Sequence, residues 1–169
     1  AMNRYAPALA DGAVEIAPGV HWIGVLDPGL RTFDIILKTA NGTTYNAYAV
    51  RGTHGVAIVD TVKACHAAEF FRRIESIARY DEIRAIVLNH LEPDHSGALP
   101  ELLRRAPQAR LYISHRAPLM LKGLLKYDGE SLDFTTVSQG DTVSRLGGDE
   151  FVILLSELDN LRECEQALE

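Results

Sequence analysis

Residues 87–97, VLNHLEPDHSG, set two imidazoles and two carboxylates within six positions: His90, Glu92, Asp94 and His95. Imidazole nitrogen with carboxylate oxygen suits iron, manganese or zinc, whereas a thiol-rich set would point to zinc or a cluster. Cys65 and Cys164 show no ligand spacing. Each residue alone has an ordinary role: Asp94 can cap a helix, Glu92 can be solvated, and the histidines can bond to backbone. Four ligand-type residues together, directly after an apolar run, point to a metal site. Pro93 favours an extended chain, which would let His90, Glu92 and Asp94, at every second position, project to one side. His95 follows at the mouth of a helix, with Asp94 or Ser96 as its N-cap and Glu101 in its first turn.

The elements that must position this loop are legible in the periodicity. Residues 83–89, IRAIVLN, read as a buried strand, and 96–106, SGALPELLRRA, as a helix stopped by Pro107. A loop that leaves the carboxyl end of a strand and enters a helix is where open α/β sheets hold ligands. Upstream, 20–27 and 32–39 are strand-like and separated by Pro28-Gly29, while Asn41-Gly42 signals a hairpin between 35–39 and 43–50. Residues 55–61, GVAIVDT, form a continuous apolar strand. The period then changes. Across 66–80, Ala67, Phe70, Phe71, Ile74, Ile77 and Ala78 recur at helical steps. ARLYIS (109–114) is a further strand, and 117–127 a third helix. Residues up to Pro18 lack periodicity and read as an arm. Antiparallel strands feeding strand–helix–strand units predict a mixed sheet with helices on at least one face.

Composition narrows the function classes. The 169 residues are 47% hydrophobic, enough for one core, with a net charge of -6 and no basic stripe. Nucleic acid and anionic membranes are therefore excluded as partners. No apolar run approaches the roughly 18 residues of a membrane helix. Two distant cysteines argue against a disulfide framework, and no signal peptide is legible, so the location expected is cytoplasmic.

The loop also carries a family resemblance. His90-x-Glu92-x-Asp94-His95 with the following SGALP resembles the metal loop of flavodiiron proteins, a branch of the metallo-β-lactamase fold whose diiron site reduces dioxygen or nitric oxide. GVHWIGVLDPGLRTFD, NGTTYNAYAV and VAIVDTVKA are similar to that family's segments in the same order, from about residue 18 to about 144. Most hydrolases of the wider superfamily have histidine where Glu92 stands. A carboxylate there can bridge two irons, which favours diiron over dizinc. By the resemblance, His90 and Glu92 hold one iron and Asp94 and His95 the other, with Asp60 as a carboxylate behind the histidines. The family completes its site with residues of a second half, and His115 does not match a ligand position, so the diiron site is incomplete in this sequence. Zinc can replace iron after heterologous expression. No flavodoxin-like segment is present, which implies no flavin in this chain.

Residues 140–160, GDTVSRLGGDEFVILLSELDN, resemble the signature hairpin of diguanylate cyclases. In that family the glycines at Gly147 and Gly148 admit the nucleotide, and Asp149 and Glu150 serve metal binding and the attacking hydroxyl. The same residues also read simply as a turn followed by a good strand, and a cyclase needs an upstream segment that the lactamase-type pattern already occupies.

Of the remaining residues, His21 and Trp22 read as packing on a strand, His54 as exposed in a turn, His66 as a surface residue at a helix start, and Cys65 as a buried thiol. The fold expected is α/β and metallo-β-lactamase-like, an αββα half-fold with a mixed sheet and helices, truncated against the family's length. Residues 1–17 form an arm, 18–144 the incomplete lactamase-like domain, and 145–169 the GGDEF-like strand and C-terminal helix. The function expected is a non-haem diiron-type module, sensing dioxygen or nitric oxide and linked to cyclic di-GMP signalling. The alternatives are an O2/NO reductase fed by an external electron donor and a metal-free, non-catalytic remnant. No catalytic residue is assigned. A sheet lacking its second half would leave apolar surface to cover, so a homo-oligomer, most simply a dimer, is expected.

Overall fold

The computed structural model describes residues 12–33, 36–89, 91–114, 134–137, 142–147 and 150–154. In chain order its strands are β1 (Val14–Ala17), β2 (Val20–Trp22), β3 (Val25–Asp27), β4 (Thr32–Phe33), β5 (Leu37–Lys38), β6 (Thr43–Tyr45), β7 (Tyr48–Gly52) and β8 (Gly55–Val59). Helix α1 (Ala67–Glu75), strand β9 (Ile83–Leu88), the short helix α2 (Pro93–Ser96), α3 (Leu99–Arg105) and β10 (Arg110–Ser114) follow. Strands β11 (Phe134–Val137), β12 (Thr142–Gly147) and β13 (Glu150–Leu154) come last.

Seven strands form one sheet in the order β1-β2-β7-β8-β9-β10-β11. The β1, β2, β7 and β8 neighbours are antiparallel, and β8, β9, β10 and β11 are parallel. The mixed sheet expected from the change of period is therefore present. Strand β8 is the pivot: its antiparallel partner lies on one side and its parallel partner on the other. Because β8 and β9 run the same way, with Val59 opposite Val87, their carboxyl ends open at the same sheet edge. That is the structural reason residues just after each strand can meet.

The apolar strands alternate between two faces. Val56 and Ile58 of β8, Ile86 and Leu88 of β9, and Leu111 and Ile113 of β10 join Phe70, Phe71 and Ile74 of α1 and Leu99 and Leu102 of α3 in the main core. Ala85, Val87 and Tyr112 form a second cluster, with Ala57 and Val59 packed against it, from the alternate strand positions. At about 1.5–3 kcal/mol per fully buried aliphatic or aromatic side chain, the main cluster holds α1 and α3 on the sheet.

Several elements depart from their expected form. Asn41-Gly42 does not close a hairpin between 35–39 and 43–50. Strand β5 pairs with β4, and β6 pairs with β3, so one two-stranded ladder is nested inside another. Gly42, at φ +84°, is needed for a close crossing instead: an added Cβ would lie 2.1 Å from the Asp27 carbonyl oxygen. The runs 20–27 and 43–50 each break in two at facing points, where the Ile23 amide donates to the Ala47 carbonyl at 2.8 Å and Trp22 Nε1 donates to Asn46 Oδ1 at 3.1 Å. Strand β1 falls within the stretch read as an arm and extends the sheet through the Pro18-Gly19 turn, with Gly19 at φ +73°.

The amphipathic run 66–80 is α-helical only over α1, with 3-10 turns at Ala64–His66 and Tyr80–Glu82. The Ser76 hydroxyl donates to the Arg73 carbonyl at 2.7 Å and accepts the Ala13 amide at 3.2 Å, which draws the chain out of the helix. Cys65 is exposed, not buried. His54 is exposed, and His66 is part-buried with Nε2 3.4 Å from Asp27 Oδ2. Residues 117–127, His115 and Cys164 lie outside the described residues.

Candidate metal centre

The site is built on the two neighbouring parallel strands. The Asp60 amide continues the ladder by donating to the Val87 carbonyl at 2.8 Å, and the backbone then turns sharply, with Asp60 at φ +59°. Aspartate is one of the few side chains that visits this left-handed region. The strand read as 55–61 accordingly ends at Val59. The turn aims the Asp60 carboxylate along the edge. Its Oδ1 accepts the Asn89 amide at 2.8 Å, and its Oδ2 lies 3.3 Å from Asn89 Nδ2 and 3.4 Å from His95 Nδ1.

The loop itself does not run extended through Pro93. It turns into α2 there, with Pro93 in the first turn, where a missing N–H costs nothing. Glu92 occupies the N-cap position and Ala98 that of α3, in both cases without a side-chain cap bond, so neither Asp94 nor Ser96 caps a helix. Buried Ser96 instead donates back to the Leu91 and Glu92 carbonyls at 2.9 and 3.0 Å. Alternate positions 92 and 94 therefore do not share one side of an extended strand. Asp94 and His95 are adjacent on the turn of helix, with His95 Nε2 3.6 Å from Asp94 Oδ2. Leu91 points into the core at 5% exposure, while Glu92 is exposed.

Of the expected ligands, then, Asp94 and His95 lie side by side with Asp60 behind His95, and Glu92 begins the same short helix. His90 lies outside the described residues. Among the described residues, no three His, Cys, Asp or Glu side chains converge as a metal cage. Chemically, the arrangement fits a metal. A carboxylate facing Nδ1 favours the tautomer with its proton there, which leaves the Nε2 lone pair directed towards Asp94. Gly147 and Glu150, singled out in the tail, bracket the turn of the β12–β13 hairpin, and Gly148 and Asp149 lie outside the described residues.

Sequence reasoning missed Thr61, whose amide and hydroxyl donate to the His95 carbonyl, and Asn89, whose amide donates to Asp60; Ser96, read as a cap, donates to backbone carbonyls instead. The available signal was their position: small polar residues at the carboxyl ends of two buried strands, where orphan backbone groups need partners.

The chain belongs to the metallo-beta-lactamase superfamily, whose family model matches residues 40–161. Its relatives include the flavo-diiron protein FprA2 of Clostridium acetobutylicum, 39% identical over 131 residues, covering 78% of this chain and 32% of that protein. The chain is 68% identical over 133 residues to the type A flavoprotein FprA of Rhodobacter capsulatus, covering 79% of this chain and 31% of that protein. It is 32% identical over 143 residues to the anaerobic nitric oxide reductase flavorubredoxin of Pectobacterium carotovorum, covering 84% and 28%. The rubredoxin oxygen:oxidoreductase of Desulfovibrio gigas superposes with a TM-score of 0.71 at 32% identity, covering 78% and 32%. The fold is thus metallo-β-lactamase, and the chain spans about a third of the length of these relatives.

Proposed function

We propose that this chain is the iron-binding portion of a flavodiiron-type reductase acting on dioxygen or nitric oxide, with electrons supplied from outside the described site. His90, Glu92, Asp94 and His95 would supply ligands, with Asp60 as the carboxylate behind His95. The observation that carries the reading is the Asp60–His95–Asp94 line, with 3.4 Å between Asp60 Oδ2 and His95 Nδ1 and 3.6 Å between His95 Nε2 and Asp94 Oδ2. Bound iron would supply the one-electron chemistry that side chains lack. The chain's own residues hold donor atoms in place: Asp60 orients the imidazole, and Ser96 and Leu91 anchor the loop to the core. The names of the relatives, an oxygen oxidoreductase and a nitric oxide reductase, support the two substrates.

A sensor linked to cyclic di-GMP rests on Gly147, Gly148, Asp149 and Glu150. The superfamily match extends to residue 161 and so passes through that hairpin, which favours the reductase reading. Exposed apolar side chains at Ile16, Leu26, Ile36 and Leu37 support a homo-oligomer, for which light scattering at micromolar concentration is the check, a monodisperse monomer removing it.

Elemental analysis of protein grown with iron tests the metal centre. Iron should be present in the wild type and reduced in Glu92→Ala, whose exposed side chain leaves the fold intact. The control, Leu91→Ala, should cost about 2–5 kcal/mol of stability while keeping more iron than Glu92→Ala. A wild type without iron, or two variants that retain it equally, would sink the metal centre. Turnover of dioxygen or nitric oxide with an added flavin reductase then separates reductase from sensor.

A further inference from the structure

We infer that Thr61 is a positioning residue for His95, fixing the backbone of that ligand as Asp60 fixes its ring; the inference rests on the metal-centre reading above. Thr61 is fully buried, and both its amide and its Oγ1 donate to a single acceptor, the His95 carbonyl, at 2.8 and 2.7 Å. A four-residue helix such as α2 cannot satisfy its own last carbonyls, and a carbonyl has two lone pairs. Thr61 supplies donors to both from a neighbouring element.

The fastening continues along the same two segments. The Ala98 amide donates to the Val62 carbonyl at 2.9 Å, and Gly97 lies so close that an added Cβ would sit 2.5 Å from the Ala64 amide nitrogen. Residues 60–64 therefore run as a strap against residues 95–98. Consecutive residues of that strap meet His95 at two points: Asp60 Oδ2 faces Nδ1 of the ring at 3.4 Å, and Thr61 hydrogen-bonds to the main-chain oxygen. Two fixed points define where Nε2 is presented, and one does not. The left-handed turn at Asp60 makes this possible, because it directs the carboxylate and the next residue's donors to the same partner.

The discriminating substitutions are Thr61→Val, which keeps shape and the amide but loses Oγ1, and Thr61→Ser, which keeps both donors. Two readouts are needed: Fe(II) affinity by competition with a chromophoric chelator, and amide hydrogen exchange of the metal-free protein. The Val variant should bind iron about tenfold more weakly, within the range expected when a group orienting a ligand is lost. Its exchange at residues 95–97 should quicken while the amides of β8 and β9 stay as slow as in the wild type. The Ser variant should restore both. Wild-type behaviour of the Val variant in both readouts overturns the inference. So does an equal loss in Val and Ser accompanied by faster exchange throughout the sheet, which marks a merely structural role. If the wild type takes up no iron, the metal-centre reading fails, and the exchange comparison still decides whether Oγ1 holds His95.

Discussion

At the scale of single residues, the loop depends as much on what is absent as on what is present. Gly97 has ordinary helical φ, so its requirement is not conformational; it is one of space. A Cβ there would lie 2.5 Å from the Ala64 nitrogen, 2.6 Å from the Pro93 oxygen and 2.9 Å from the Val62 oxygen, all backbone atoms that cannot swing away. Gly97→Ala should therefore cost about 3 kcal/mol in urea unfolding and push α2 away from the strap, lowering iron affinity with it. Gly52→Ala is the matched control. Its nearest neighbour would be the Gly55 oxygen at 4.0 Å, and the change should stay within about 0.5 kcal/mol. Equal costs at the two positions would show that Gly97 has room to relax. The candidate ligand types were legible, since imidazole and carboxylate announce their chemistry. The partners of Thr61 and Ser96 were not, because position alone marks a hydroxyl as available without saying which backbone carbonyl it meets.

At the scale of elements, the periodicity located α3, β9, β10 and the start of α1, since each has a continuous apolar face that only one period fits, but it ran past the end of α1 at Glu75. It failed where two short strands meet at facing breaks, as at Ile23 and Ala47, because alternation continues across a break that only pairing reveals. It failed again at Pro93, where a residue read as extending the chain opens a helix. The surface of α3 offers an electrostatic test. Glu101 accepts from Arg104 at 2.6 and 2.8 Å and from Arg105 at 2.7 Å, and these hydrogen bonds, Arg104's first, hold its carboxyl down at about 2. A carboxylate whose folded pKa is depressed contributes stability above its ordinary value near 4.5, and loses it as pH falls towards about 2. Glu101→Gln should therefore be less stable than the wild type near neutrality, and the two should converge across that acid window. The difference will be small and salt-sensitive, because the carboxylate is partly exposed. A gap unchanged from neutrality down to about 2 would show that the arginines gain nothing from its charge.

At the scale of the whole molecule, stability should be graded from the centre of the sheet outwards. Strands β8 and β9 are paired on both sides, and Ile58 and Ile86 are fully buried in the main core. The β4–β5 ladder has two-residue strands, and Leu37 within it and Ile36 beside it are 58% and 80% exposed. Local opening needs little free energy where few apolar contacts are broken. Native-state hydrogen exchange should thus find the amides of β8 and β9 opening only with global unfolding, and those of β4 and β5 exchanging orders of magnitude faster. The site lies between these limits: Asp60 is continuous with the rigid ladder, whereas α2 is a single turn held by the strap. Iron should therefore leave β8 and β9 unchanged and slow exchange selectively at residues 91–97, since ligand binding stabilises the state that binds it. Protection gained instead across β4 and β5 alone would place the metal away from this loop, and the assignment of Asp94 and His95 as ligands would fall.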